Sequence, residues 1–315
     1  MILITGGSGF IGTNLINHFL NIGITNILSV DIRPPKISTH LRYFRQIDIL
    51  NFQDFQSIFD TFKFTSVIHL AARTDINGKL SEDYLVNTIG TRNLAKLCLK
   101  NNIKRVLYTS SMLVNLPGHC SFETFNPYPN QYAISKVEGE KIIREMYKDK
   151  IGFEYIILRP TSIWGPYMGD HYLDFFNRIK AGRYFHINDI DPLKSYGFVG
   201  NIVLQICYLV DSKNNLEGDR VFYLRDTWDY SIKSWSEIIA SQLNVKIKTL
   251  PFSLFYLAAL VGEIMKFFNF KFPINLYRLS NLSNVNLVPI NNKFNKLKYT
   301  DLTSAVRITL KQLYE

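Results

Sequence analysis

At 315 residues the chain is long enough for one large domain or two modest ones, which excludes a small stapled scaffold. Its 47% hydrophobic and 20% charged residues exclude a disordered or fibrous chain. The net charge of +10 is scattered as singles and pairs, with no basic block of the kind that forms a nucleic-acid arm; it reads as a solvated basic surface, or else as a field for an anionic substrate or membrane.

The chain opens Met1-Ile2-Leu3-Ile4-Thr5 and runs directly into glycines, so no signal peptide is expected. Ile2 to Ile4 reads as a buried strand. Thr5-Gly6-Gly7-Ser8-Gly9-Phe10-Ile11-Gly12 follows, then a helix with Leu15, Ile16, Phe19 and Leu20 on one face and Gly23 at its C-cap. Glycines at that spacing permit a tight turn, close approach of backbone to a pyrophosphate, and close packing of helix on sheet. A second strand, Ile27 to Val30, delivers Asp31 19 residues after Gly12, where a carboxylate accepts from ribose hydroxyls. That carboxylate repels a 2′-phosphate and so favours NAD, with Arg33 and Lys36 the residues that could admit NADP. Asp48, in Gln46-Ile47-Asp48-Ile49, is expected to end a third strand near the adenine, or otherwise to serve as a loop carboxylate or N-cap.

Further strands are expected at Val67 to Leu70, Val106 to Tyr108 and Tyr155 to Leu158, with helices from Tyr84 to Leu99 and from Gln131 to Tyr147. Ser110 and Ser111 follow the fifth strand, at the sheet edge where ligands of open α/β sheets bind. Tyr132 and Lys136 are one helical turn apart. A phenol of pKa ~10 is ionised about once in a thousand at neutral pH, and lowering it by ~3 costs about 4 kcal/mol, which an ammonium and a charged nicotinamide could supply. His69 reads as structural, and His119 with Cys120 as loop residues without a nucleophilic partner.

From Thr161 onward the pattern loosens, with a strand at Val221 to Leu224 and a helix from Ile232 to Leu243. The fold class is α/β: a doubly wound parallel Rossmann sheet in residues 1–165, with a return crossing about 194–225. Residues 166–193 and 226–315 make a small C-terminal substrate-binding lobe. Within it, Leu250 to Phe272 is the most apolar stretch, too short in its uncharged part to span a bilayer, and is expected as a buried or half-buried helix, with an interfacial helix as the alternative. Cys98, Cys120 and Cys207 suggest neither a disulfide framework nor a zinc site, so no metal is expected and a cytoplasmic setting fits best.

In these motifs the chain resembles the extended short-chain dehydrogenase/reductases of the NAD-dependent epimerase/dehydratase family, which modify nucleotide-activated sugars. The resemblance runs through Thr5 to Gly12, Asp31, Asp48-Ile49, His69 to Ala72, Asn87 with Gly90-Thr91, Ser110-Ser111, Tyr132 with Lys136, Leu158 to Thr161 and Trp164 to Pro166. It implies catalysis by Ser111, Tyr132 and Lys136. It implies that NAD is held by Gly6, Gly9, Phe10, Ile11, Gly12, Asp31, Asp48, Ile49, Ala71, Asn87, Tyr132 and Lys136. Ser111, Thr161, Lys194 and Arg278 are the candidate substrate contacts. Dehydratases of the family carry Asp-Glu after the catalytic hydroxyl residue, and here Met112-Leu113 stand there, which argues against dehydration. Leu113 also stands where a 3,5-epimerase needs cysteine. Lys194 and Asn201 replace the family's usual Arg and Asp, and lysine lacks the bidentate fork of arginine. The expected activity is a 4-epimerase or 4-keto reductase acting on a nucleotide sugar through a 4-keto intermediate, with a homodimer as an open arrangement and no stable membrane insertion. A lipid-alcohol or hydroxysteroid dehydrogenase and a non-catalytic NAD-binding regulator are the alternatives.

Overall fold

The first half alternates strand and helix: β1 (Ile2–Thr5), α1 (Phe10–Asn21), β2 (Ile27–Asp31), β3 (Phe44–Gln46), α2 (Phe52–Thr61), β4 (Ser66–His69), α3 (Thr91–Lys100), β5 (Arg105–Thr109), α4 (Gln131–Met146) and β6 (Glu154–Pro160). The second half adds β7 (Ser162–Trp164), α5 (Asp170–Lys180), β8 (Phe185–Ile187), β9 (Leu193–Lys194), β10 (Tyr196–Phe198), α6 (Val199–Val210), β11 (Val221–Leu224), β12 (Tyr230–Ser231) and α7 (Ile232–Gln242). It ends with β13 (Lys248–Leu250), α8 (Phe252–Phe267), α9 (Leu276–Ser283) and α10 (Leu302–Tyr314). The computed structural model describes residues 1–216, 218, 220–267 and 276–315, with side chains throughout except at 171, 266, 267, 277, 278 and 281.

Seven parallel strands form the central sheet in the order β11-β6-β5-β4-β1-β2-β3. The order reverses between β1 and β4, which opens a crevice at the carboxyl edge. The strands read as continuous apolar runs because both faces are covered. Leu3, Val67, Val106 and Ile157 point to a layer holding Phe55, Leu94 and Ile143 from α2, α3 and α4. Their chain neighbours Ile4, Ile68, Leu107 and Leu158 point to the opposite layer, with Leu15 and Phe19 of α1 and Ile202 and Ile206 of α6. A shift of one residue in any strand would exchange the two layers, so the alternation fixes the register.

Three expectations need correction. The helix expected from Tyr84 to Leu99 is broken into a 3-10 turn (Ser81–Tyr84), a π turn (Val86–Gly90) and α3, because buried Asn87 and Gly90 must be brought against α4 and Ile49. Asp48 does not end the third strand: β3 stops at Gln46, and the exposed Asp48 carboxylate accepts the Leu50 N–H at 2.9 Å, closing a turn. Leu250 to Phe272 does not begin as a helix, since Leu250 closes β13. Helix α8 runs Phe252–Phe267, and residues 268–272 lie outside the described ones. Among the described residues no helix is long and apolar enough to cross a membrane.

The loosened second half is organised by aromatic packing. Trp164 on β7 is fully buried 4.8 Å from Trp235 of α7 and 5.3 Å from Phe198 of β10, and its indole N–H donates to the Tyr230 hydroxyl at 2.6 Å. One side chain thereby joins the paired strands β7 and β10 to β12 and α7. Trp164→Ala is expected to cost about 3–5 kcal/mol of folding free energy, measured by urea unfolding; a loss below ~1 kcal/mol would mean that the segments hold together without it.

Candidate active site

The glycine loop and the turn after β4 meet at the switch point. Gly6 has φ +75°, a left-handed conformation that suits glycine. A Cβ there would lie 2.5 Å from the Ala71 nitrogen, and one on Gly12 would lie 2.4 Å from the Gly6 carbonyl oxygen, both backbone atoms that cannot swing aside. Helix α1 starts from Gly9 with no side-chain cap, so its first-turn N–H groups, including those of Phe10 and Ile11, are not taken by a cap. Asp31 braces the loop: its carboxylate accepts the Ser8 N–H and the Arg33 N–H, each at 3.1 Å, while the Ser8 hydroxyl donates to the Arg33 carbonyl at 2.7 Å. Each oxygen keeps a lone pair for a ribose hydroxyl. This tight cradle, uncapped helix end and braced carboxylate fit a dinucleotide. Lys36, the residue that could clasp a 2′-phosphate, donates instead to the Tyr167 carbonyl at 3.1 Å.

His69 is structural. Its Nδ1 lies 2.6 Å from the Thr5 hydroxyl and its Nε2 3.2 Å from the Thr91 hydroxyl. Thr91 donates to the Asn87 carbonyl, so its oxygen accepts the His69 Nε2–H, and Thr5 donates to Nδ1. Burial holds the imidazole down to about 3, so it stays neutral.

Helix α4 supplies the second half of the site. Its N-cap Asn130 accepts the Ala133 N–H at 2.8 Å, which sets the first turn and places Tyr132, Lys136 and Glu140 at four-residue intervals on the buried face. Lys136 donates to the Thr109 carbonyl at the end of β5 at 2.9 Å. Burial lowers its pKa to about 8, against the carboxylate of Glu140, which favours the charged form. Burial pushes the Tyr132 phenol up to about 12, while the neighbouring Ser111 hydroxyl pulls the other way. In the protein without cofactor, burial outweighs any pull of the ammonium on the phenol. Ser111 caps the short 3-10 turn Met112–Val114, accepting the Leu113 N–H at 3.1 Å. Beside it, the buried hydroxyls of Thr109 and Ser110 have no hydrogen-bond partner.

Sequence reasoning missed Glu140. It is fully buried and receives Arg159 in a two-pronged pair, Nε at 2.9 Å and Nη2 at 2.8 Å. Arg159 Nη1 continues to the Ser121 carbonyl at 2.7 Å, and Arg144 reaches the Phe122 carbonyl at 2.6 Å, so the loop after Ser111 is pinned to α4 and β6. Helical periodicity was the available signal, since Glu140 extends the Tyr132 and Lys136 stripe by one turn.

Other expected contacts are placed differently. Asn87 spends its side chain on the Arg73 N–H and carbonyl and on the Ser135 hydroxyl. Thr161 donates its hydroxyl to the Leu224 carbonyl at 3.1 Å, stitching β6 to β11. Ile49 is buried against Gly90. Lys194 is half-buried on β9, with its pKa lowered by burial. The Arg278 side chain lies outside the described residues. His119 bonds Thr124 within its loop.

Gly12→Ala should weaken NAD binding by roughly tenfold or more in a calorimetric titration, and Gly9→Ala by less, because its Cβ would meet the Gly6 oxygen at 3.1 Å. Parental affinity in the Gly12 variant would mean that the loop does not hold the pyrophosphate.

Residues 2–224 match the profile of the NAD dependent epimerase/dehydratase family. The chain is 31% identical over 272 residues to N-acetyl-alpha-D-glucosaminyl-diphospho-ditrans,octacis-undecaprenol 4-epimerase of Escherichia coli O157:H7, covering 84% of this chain and 79% of that one. It is 29% identical over 261 residues to UDP-glucose 4-epimerase of Vibrio cholerae, covering 79% and 78%. The fold matches the solved UDP-Glc/GlcNAc 4-epimerase of Campylobacter jejuni with a TM-score of 0.75 at 21% identity, over 99% of this chain and 98% of that one. With its glycine loop, its parallel seven-stranded sheet and the match across most of its length, the chain belongs to the NAD-dependent epimerase/dehydratase family of enzymes, whose cofactor is NAD.

Proposed function

We propose that the chain is a 4-epimerase of a sugar carried on a diphosphate, most plainly a nucleoside diphosphate, acting through a 4-keto intermediate. Residues 1–165 with the return crossing would form the cofactor half, and 166–193 with 226–315 the substrate half. The observation that carries this reading is that Tyr132 meets the Ser111 hydroxyl while Lys136, one turn on, binds the Thr109 carbonyl at the end of β5, all three side chains buried. The relatives named above are 4-epimerases, which supports epimerase over 4-keto reductase.

Tyr132 acts as the general base toward the C4 hydroxyl, whose oxygen Ser111 orients by a hydrogen bond. Lys136, about nine-tenths charged at neutral pH given its pKa near 8, favours the phenolate electrostatically. Its other task is to hold the ribose of the nicotinamide half. Gly6, Gly9, Phe10, Ile11 and Gly12 bind the pyrophosphate and Asp31 the adenosine ribose, with Asp48, Ile49, Ala71 and Asn87 shaping the walls. When bound, NAD supplies a two-electron acceptor that takes the C4 hydride and returns it. The C4 ketone turns over before the hydride returns, and Tyr132 then hands back its proton to the opposite configuration. Lys194 is the candidate for the substrate diphosphate. Epimerisation leaves the cofactor unchanged in net terms, whereas a reductase would consume reduced cofactor with every turnover.

Tyr132→Phe removes only the proton acceptor and should lose roughly two to four decades in kcat with NAD affinity nearly unchanged. The assay is NMR detection of C4 stereochemistry in a panel of nucleoside-diphosphate and polyprenyl-diphosphate sugars. Turnover near parental levels by Tyr132→Phe would overturn the assignment, and net oxidation of reduced cofactor on addition of a 4-keto sugar diphosphate would favour the reductase.

A further inference from the structure

Helix α8 is built inside out. Its small residues Ala259 and Gly262 are buried and α9 packs on the helix, while Leu254, Leu257, Val261 and Ile264 are 50%, 58%, 46% and 61% exposed. Their spacing of three, four and three residues puts the four on one stripe of the helix. Leu276, at the start of α9, adds a further exposed apolar side chain. A soluble chain does not leave such a contiguous stripe in water without a use for it.

The sequence that carries this stripe is unevenly charged. Between residues 238 and 300 there are eight lysines and arginines and a single acid, Glu263, so this fifth of the chain carries most of the net charge of +10. Glu263 is turned to a structural task, accepting the Leu276 N–H at 3.3 Å. Lys246, two residues before β13, and Lys248, the first residue of that strand, which leads through Pro251 into α8, are exposed. The chain leaving α9 then crosses toward the site: Asn286 bridges to Lys194, Val288 packs on Met112 next to Ser111, and Cys120 donates to the Leu287 carbonyl. The apolar stripe therefore belongs to the lobe that closes over the loop after Ser111.

We propose that α8 is an interfacial helix that lays its Leu254–Leu257–Val261–Ile264 stripe into the headgroup boundary of an anionic phospholipid bilayer, with exposed Lys246 and Lys248 on the lipid phosphates. Exposed apolar area and surrounding basic charge are the two terms that bind such a helix to a membrane surface, and neither alone is sufficient. A second copy of the chain is the poorer occupant, because a two-fold contact through this stripe would bring two strongly basic segments together. The helix is 16 residues long, so it lies on the bilayer and does not cross it. The inference stands on surface and charge, independent of which residues carry the catalytic step.

The test is flotation of the full-length, NAD-loaded protein with phosphatidylcholine vesicles containing about one-third phosphatidylglycerol, and with pure phosphatidylcholine vesicles, at ~0.1 M and ~0.5 M salt. Binding to the anionic vesicles at low salt is expected, falling severalfold at high salt and on neutral lipid. The double variant Leu257→Glu, Ile264→Glu should lose binding about tenfold or more while keeping the parental melting temperature and NAD affinity, which verifies that it folds. No flotation of the parent, or flotation unchanged in the double variant, overturns the proposal. So does a parent that fails to float but runs as a dimer that the double variant converts to monomer, since that outcome gives the stripe to a second copy.

Discussion

The site depends on a carboxylate that has no access to water. Glu140 sits in the middle of α4 with its side chain fully buried, where Arg159, itself fully buried, meets it with two charge-assisted hydrogen bonds and Arg144 adds a third contact at 3.4 Å. Removing either partner of such a pair leaves an uncompensated buried charge, typically worth 3–5 kcal/mol. That constraint ties together parts distant in sequence. Glu140 favours the charge on Lys136 one turn earlier, Arg159 comes from β6, and its remaining arm holds the Ser121 carbonyl in the loop after Ser111. The helix that carries Tyr132, the strand beneath it and the loop that follows Ser111 are thus tied together by Glu140 and its two arginines.

The glycine loop rests on a different constraint, the lack of space at the switch point. Gly6 and Ala71 approach until no Cβ fits between them, and Gly12 is as close to Gly6. A neutral His69 spans the floor of this junction, receiving the Thr5 hydroxyl and donating to Thr91, so β1, β4 and α3 keep one relative position. The two constraints meet at the end of β5, where Lys136 binds the Thr109 carbonyl and the hydroxyls of Thr109 and Ser110 stand buried without partners. Unpartnered hydroxyls are costly inside a fold, and their place at the carboxyl edge of the sheet suits a ligand that would satisfy them.

Much of this was legible in the sequence because it is written in local periodicity. Short apolar runs marked the buried strands of the sheet, and the glycine spacing with Asp31 marked the candidate cofactor loop. Four-residue spacing put Tyr132 and Lys136 together. What was not legible depends on contacts across the chain or on which face is covered. Thr161 reads as a free hydroxyl at a strand end until β11 arrives and takes it, and Lys36 reads as a free cation until Tyr167, 131 residues away, supplies a carbonyl. Asn87 matches its motif but is consumed by Arg73 and Ser135, through a π turn that propensity does not foretell. An apolar stretch such as α8 announces a helix without saying whether its large residues face the protein or the solvent.

The central claim is that Tyr132 is a base made by its surroundings together with NAD, since burial in the free protein holds its phenol at about 12. The most direct measurement is a pH titration of ring-labelled tyrosine by carbon NMR, with the Tyr132 signal assigned by its loss in Tyr132→Phe, in the free and NAD-saturated protein. The account requires the Tyr132 resonance to titrate near 12 without cofactor and to move to ~8 or below with NAD bound, where the charge of the nicotinamide joins that of Lys136. A Tyr132 titration that NAD leaves in place would contradict it.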